Sequence, residues 1–367
     1  MPDTGKLHLR VIWDGHAVRG VEVNLTRPQA YRLLEGRMPD QAVKMVPLLY
    51  SVCGKAQHAA AIAAVSAAQG IKWQSNKILE RSVICEAMQE HLWRLLLDWP
   101  NLLGIPPAQQ QFIKWHGALN EIAAGRGEAD KFLAELFQIL LGCNKNTWQQ
   151  IDSYATLSNW INSRQGWLTP IFSAIIQYEN LLDFVAQPLQ TPLMPGWTAV
   201  DVFPLLGHNL DCEFAAKPRH EGKPMETGAL AHNQHSALLQ DLLLKFPTRL
   251  LARVIARLID LLDSAEALAS ENMSGRVQGV SASDATGLSV VKTARGMLLH
   301  YVSLEAERVA NYMTVAPTEW NFHPAGALAS SLTGLKESDA GKLMETVKYV
   351  VLSLDPCVEY GIELNHA

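Results

Sequence analysis

The 367-residue chain has only five cysteines, Cys53, Cys85, Cys143, Cys212 and Cys357, odd in number and scattered. That excludes a disulfide framework, and no group of them lies close enough in sequence for an iron–sulfur cluster. Basic residues are in deficit, 31 against 36 acidic for a net charge of −5. There is therefore no cationic stripe for nucleic acid and no polybasic anchor for an anionic membrane. No apolar run of about eighteen residues occurs, and Met1-Pro2-Asp3-Thr4-Gly5-Lys6 lacks the apolar stretch of a secretory signal. A cytoplasmic location is the expectation. G-x-G-x-x-G, Walker A and G-x-S-x-G sequences are absent, which removes support for nucleotide binding and serine hydrolysis. Free thiols in a reducing compartment remain available to a soft metal.

What is present is apolar content of 48 %, enough for a sizeable core. Residues 1–27 alternate, with Leu7, Leu9 and Val11 against Lys6, His8 and Arg10, then Asp14-Gly15, then Val18, Val21 and Val23, the pattern of a β-hairpin. Residues 28–187 read as helical, with segments at Val43 to Tyr50, Gln57 to Gln69, Ile78 to Trp99 and Ala129 to Leu141. Pro188 to Leu230 is rich in Pro and Gly and reads as irregular crossing chain; the crossing segment is bounded at 188–235. Residues 236–335 combine helix, from Ser236 to Ser270, with a small sheet or hairpin between Ser281 and Val315. Residues 336–367 carry a last helix, Ser338 to Leu354, and a thiol motif. The expected fold class is mainly α with small β elements (α+β), in a single domain spanning 1–367. Its ten tryptophans, Trp93, Trp99 and Trp115 among them, read most simply as core.

Two thiols stand in informative surroundings about 300 residues apart, Cys53-Gly54-Lys55-Ala56 and Asp355-Pro356-Cys357-Val358-Glu359-Tyr360. Asp is a good N-cap and Pro suits a first helical position, so Cys357 is expected in a helical first turn, where the helix N-terminus lowers a thiol's pKa. Cys53-Gly54 likewise precedes an Ala-rich helix, and glycine there permits close backbone approach to a ligand. Taken singly, each Cys reads more simply as a small buried hydrophobe.

Together with their flanks these segments resemble nickel-iron hydrogenase large subunits, whose C-G-x-C and D-P-C-x-x-C motifs hold a bimetallic centre. Gly36-Arg37-Met38-Pro39-Asp40-Gln41-Ala42 is similar to the family's G-R-D-P-x-x-A. Lys217-Pro218-Arg219, Gly222-Lys223-Pro224-Met225-Glu226 and Gly228-Ala229-Leu230-Ala231 resemble its K-x-P-R-Y-x-G-x-P-M-E-x-G-P-L-A. Thr293-Ala294-Arg295-Gly296 and Pro317-Thr318-Glu319-Trp320-Asn321 resemble its A-P-R-G and P-T-T-W-N. The resemblance implies that Arg295 is poised over the metal site, that Thr318 hydrogen-bonds an iron-bound cyanide, and that Asp355 is the carboxylate beside the second motif. Glu90 falls near another acidic position, with a surface i, i+4 pair to Arg94 as its alternative role. For Arg295 the alternative is a structural ion pair.

Each motif has lost its second cysteine: Ala56 and Tyr360 stand at the bridging positions, leaving Cys53 and Cys357 as metal ligands. Nickel with four thiolates is then not expected, whereas an Fe(CN)2(CO) unit on two thiolates has five donors and one open octahedral position. The family's proton-relay glutamate falls at Thr4 and the arginine before its first cysteine at Ser51. By the same resemblance, the chain is expected to lack the tail that is cleaved from maturing large subunits. These departures resemble the HupK/HoxV scaffold branch of the superfamily. The resemblance implies a non-catalytic carrier that receives the iron unit from a small maturation chaperone and passes it to a hydrogenase large subunit. A hydrogenase-like redox enzyme and a metal-free adaptor are the alternatives. A third thiolate from Cys85, Cys143 or Cys212 stays open. His208, His220, His232 and His235 with Cys212 match no tight zinc spacing. His58, near Cys53, is open between hydrogen bonding at the site and helix packing.

Overall fold

A computed structural model describes residues 5–50, 52–186, 188, 190–206 and 212–366. Thr4, Ser51 and His208 lie outside them. The alternating N-terminal segment forms β1 (Lys6–Trp13) and β2 (Val18–Thr26), antiparallel, with Leu7, Leu9 and Val11 turned inward. Asp14 closes the turn by accepting the N–H groups of His16 and Ala17 at 2.9 and 2.8 Å. The hairpin acquires a third strand from the other end of the chain. β9 (Glu359–His366) pairs parallel with β1, Leu7 opposite Tyr360 and Leu9 opposite Ile362, in the order β2-β1-β9. This closure draws the second thiol motif to the end of β2.

β3 (Asp183–Phe184) pairs with β8 (Leu335–Lys336), and a four-stranded antiparallel meander runs through β4 (Val277–Ser283), β5 (Thr286–Thr293), β6 (Gly296–Glu305) and β7 (Arg308–Val315). Helix α1 (Pro39–Leu49) precedes α2 (Gly54–Ala68), whose alanines are buried on every side. α2 can approach the meander closely because Gly279 and Gly287 face it: a Cβ on Gly287 would lie 2.0 Å from the Ala64 carbonyl oxygen. Helix α3 (Lys77–Trp93) packs against α2 and against the long helix Leu250–Ala269, around which the main apolar core assembles with Trp99 and Trp115 fully buried.

Several boundaries differ from the sequence expectation. Among its described residues the crossing segment holds three helices, Ala199–Leu206, Cys212–Ala216 and Ala229–His232. The stretch from Ser236 divides into Ala237–Lys245 and Leu250–Ala269, broken at Arg249 in the left-handed region (φ 60°). The helix expected through Trp99 ends as α-helix at Trp93 and continues in a π-helical turn, Arg94–Asp98. The largest correction concerns Asp355-Pro356-Cys357. Asp355 is the C-cap of the final helix, Ala340–Leu354, left-handed at φ 56°, and the chain runs on into β9. Cys357 thus sits between a helix C-terminus and a strand and gains nothing from a helix N-terminus. A residue before proline is pushed out of the helical region, and the Asp355 side chain is drawn inward by buried arginines rather than left to cap.

Candidate metal centre

Cys53 is the N-cap of α2, and its side chain makes no capping bond. The helix N-terminus is served instead by Glu86 of α3, which accepts the N–H groups of Lys55 and Ala56 at 2.8 and 2.9 Å. The thiol is left to face Arg295. That arginine sits in the tight β5–β6 turn, where Thr293 Oγ1 donates to the Gly296 carbonyl (2.9 Å) and Asn321 Nδ2 donates to the carbonyl of Arg295 (3.3 Å). Gly296 adopts φ +131°, and a Cβ there would meet Thr227 Oγ1 at 2.6 Å, so only glycine completes the turn.

The pinned backbone aims a buried guanidinium with three separate tasks. Arg295 Nη1 lies 3.3 Å from Cys53 Sγ, Nη2 lies 2.5 Å from Glu90 Oε2, and Nε lies 3.2 Å from Asp355 Oδ1. Glu90 therefore pairs across to Arg295 and not with Arg94 along its own helix. Arg94 begins the π-helical turn and reaches Asp355 at 2.8 Å while also pairing with Asp98. Arg257 supplies a third guanidinium to Asp355 at 3.0 Å. Three arginines are thus balanced by Asp355, Glu90 and Asp98. Burial alone would raise the Asp355 carboxyl, but Arg295, Arg94 and Arg257 outweigh it and hold the group well below the usual carboxylate range.

Cys357 occupies the facing wall. Arg27 Nη2 donates to its sulfur at 2.8 Å, Thr318 Oγ1 lies 3.0 Å from the sulfur, and the Cys357 N–H donates to Thr318 Oγ1 at 3.3 Å. Arg27 is held in turn by Glu319, Nε to Oε1 2.8 Å. Both thiols, Arg27 and Arg295 line one cavity of about 680 Å³ including its mouth, closed on its apolar side by Leu49, Leu298 and Pro317. Of the two bridging positions, Ala56 is buried within α2, and Tyr360 lies part-exposed on β9.

The electrostatics of Cys53 differ from the expectation of a ready-made thiolate. Burial pushes its thiol up to about 12; Arg295 opposes this only in part, and Glu86 adds to it. A soft metal would displace this proton on binding, which makes binding at Cys53 pH-dependent. The donor set fits a small thiolate-bound metal unit: two sulfurs on one cavity, with N–H and O–H donors around them.

Cys53, Cys357, Arg295, Thr318, Asp355 and Glu90 are thus gathered in one place. Sequence reasoning missed Arg27, Arg94 and Arg257. A signal existed for Arg257: it stands one turn after Arg253 in the apolar first half of its helix, and two buried arginines require buried carboxylates. Those are Asp355 for Arg257 and Glu226 for Arg253, at 2.8 Å. Nothing local marks Arg27. The histidines do not converge on Cys212: His220 packs edge-on to Trp197, while His232 is half-buried on the side of Asp260. Among the described residues no three His, Cys, Asp or Glu side chains form a group able to hold a metal ion. No helix among them is long and apolar enough to cross a membrane.

Comparison with known proteins finds similarity to hydrogenases and to hydrogenase formation proteins. The family model for nickel-dependent hydrogenases matches residues 235–362. The chain is 28 % identical over 354 residues to the hydrogenase expression/formation protein HoxV of Cupriavidus necator, covering 92 % of this chain and 91 % of the relative. It is 29 % identical over 378 residues to the hydrogenase expression/formation protein HupK of Azotobacter vinelandii, covering 99 % of each. Residues 235–362 thus match nickel-dependent hydrogenases, and the chain over nearly its whole length is similar to hydrogenase expression/formation proteins. Its fold matches the Ni-Fe-Se hydrogenase of D. vulgaris Hildenborough in the as-isolated oxidized state with a TM-score of 0.58, over 94 % of each chain at 17 % identity. The α+β class expected from the sequence is that hydrogenase large-subunit fold.

Proposed function

We propose that this chain is a non-catalytic scaffold in hydrogenase formation, a cytoplasmic carrier that holds an Fe(CN)2(CO) unit on Cys53 and Cys357 before the unit passes to a hydrogenase large subunit. Its relatives' designation as hydrogenase formation proteins supports the broader role. One observation carries the finer one: two thiols about 300 residues apart line a single cavity, each with a guanidinium on its sulfur.

The chemistry follows from the charges. Cyanide and thiolate donors make the unit anionic, and Arg27 and Arg295 supply fixed cations where that charge would lie, in a site partly shielded from water. Arg295 N–H groups beside Cys53, and the Arg27 N–H groups and the Thr318 hydroxyl beside Cys357, are donors that suit the cyanide nitrogens. Asp355 and Glu90 hold Arg295 in place without touching the cargo. Ala56 and Tyr360 contribute no bridging sulfur, so a second metal has no thiolate pair of its own; this favours release over completion of a nickel centre. A small maturation chaperone is the source of the cargo in this proposal.

The test is infrared spectroscopy on protein purified without oxygen after co-production with hydrogenase maturation proteins. Metal-bound CO and cyanide bands are expected, and Cys357→Ser should remove or shift them. Wild-type protein without such bands, or bands unaltered by Cys357→Ser, would sink the assignment.

A further inference from the structure

Gln57 lines the same cavity as the two thiols. It stands one turn after Cys53 in α2, where its N–H donates to the Cys53 carbonyl at 2.9 Å, so the two side chains share one face of the helix. Long helical side chains lean toward the helix N-terminus, which carries the Gln57 amide back toward Cys53. Among the buried alanines of α2 it is a large polar side chain only 5 % exposed, and burying such a group is costly unless it is hydrogen-bonded.

A chain of hydrogen bonds decides which end of the amide faces the cavity. His300 Nε2 on β6 lies 2.8 Å from Gln57 Oε1, and the Tyr312 hydroxyl on β7 lies 2.7 Å from His300 Nδ1; both rings are fully buried. Burial keeps His300 neutral by pushing it down to about 3, so one ring nitrogen donates and the other accepts. The Tyr312 hydroxyl has no other partner among the described residues, and a buried hydroxyl proton left without an acceptor is costly. Its proton therefore goes to Nδ1, the imidazole proton sits on Nε2, and Nε2–H requires an oxygen opposite it. Gln57 Oε1 is committed to His300, which leaves the two N–H groups of Gln57 Nε2 unused. No described residue accepts from Nε2, and the nitrogen is not sealed from the cavity that Gln57 lines.

We propose that Gln57 is a cargo-recognition residue: its amide N–H groups donate to a cyanide nitrogen of the iron unit on the Cys53 side of the cavity, and His300 and Tyr312 are positioning residues that hold the amide that way round. This rests on the carrier function proposed above. Arg27 and Arg295 offset the charge of the cargo, whereas an uncharged amide fixed from behind adds direction. Metal-bound cyanide accepts a hydrogen bond at nitrogen and metal-bound carbon monoxide is a far poorer acceptor, so Gln57 helps to set which diatomic ligand lies beside α2.

The experiment compares wild type, Gln57→Leu, Gln57→Glu and Tyr312→Phe by infrared spectroscopy, each co-produced with hydrogenase maturation proteins and purified without oxygen. Gln57→Leu should shift at least one cyanide band while the bands persist, because both thiols remain. Gln57→Glu keeps the oxygen that His300 needs, which protects the fold, and removes both amide N–H donors; it should move the same band. Tyr312→Phe frees His300 to take either tautomer and should broaden or shift that band. In cargo-free protein, NMR of the histidine ring nitrogens should place the His300 proton on Nε2. Cyanide bands unmoved by both Gln57 variants, or a His300 proton on Nδ1, would overturn the role of Gln57 and leave the carrier intact. Absence of bands from wild type would overturn both.

Discussion

Replacing Asp355 by asparagine keeps the shape, and asparagine tolerates the left-handed backbone at this C-cap, so the perturbation isolates the charge. The carboxylate is fully buried and meets Arg94, Arg257 and Arg295 at 2.8, 3.0 and 3.2 Å. Their losses are unequal. Arg94 keeps Asp98 and Arg295 keeps Glu90, but Arg257 is left with only the Ser353 carbonyl at 3.2 Å. The cost is therefore that of one uncompensated buried charge, about 3–5 kcal/mol, and not three times that. Urea unfolding followed by tryptophan fluorescence measures it. Arg257→Met in the Asp355→Asn background removes the stranded cation and should restore about half of the loss. Because the folded carboxyl is depressed, its stabilisation is present above the unfolded pKa of about 3.9 and is lost only as pH falls below it, so the penalty should be constant from about pH 5 to 8. A loss under about 1 kcal/mol, with no recovery in the double variant, would refute the charge balance described for this site.

His300 is buried between the Tyr312 hydroxyl (2.7 Å) and Gln57 Oε1 (2.8 Å), and burial pushes it down to about 3. A depressed histidine contributes stability above its unfolded pKa and loses it as pH falls. Relative to His300→Gln, wild type should therefore lose about 1.4 kcal/mol per pH unit below about 6.5, read from unfolding midpoints at stepped pH. Gly287→Ala should destabilise by at least about 1–3 kcal/mol, because its methyl group would collide with the Ala64 carbonyl of α2; thermal unfolding checks this. Arg295→Lys keeps the charge but cannot serve Cys53, Glu90 and Asp355 together. About 2–3 kcal/mol of stability should go with the lost charge-assisted bonds, and any cyanide bands should shift, while unchanged spectra would argue against contact between Arg295 and the cargo.

Local periodicity made the N-terminal hairpin, the Ala-rich helix after Cys53 and the final helix legible, because each depends on neighbours a few residues away. The same reasoning misplaced Asp355-Pro356-Cys357. Asp-Pro-Cys has the local form of a helix start, yet Asp355 ends a helix because three distant arginines claim its carboxylate and β1 claims the chain beyond it. Glu90 was legible only as one of two alternatives. Its sequence neighbour Arg94 is the obvious partner, and the choice of Arg295 depends on a turn about 200 residues later. Arg27 carries no local mark at all, since its role depends on where β9 begins.

The residue types alone settled which atoms are available: two surviving thiols in hydrogenase-like surroundings, alanine and tyrosine at the bridging positions, and an arginine followed by glycine in a tight turn. Only the tertiary structure decided that the thiols share a cavity, that each sulfur carries a guanidinium, and that burial keeps Cys53 protonated until something displaces the proton. Donor identity is a property of a side chain, but pKa, partner and proximity are properties of its surroundings. Here those surroundings come from a parallel strand pairing of the two ends of the chain.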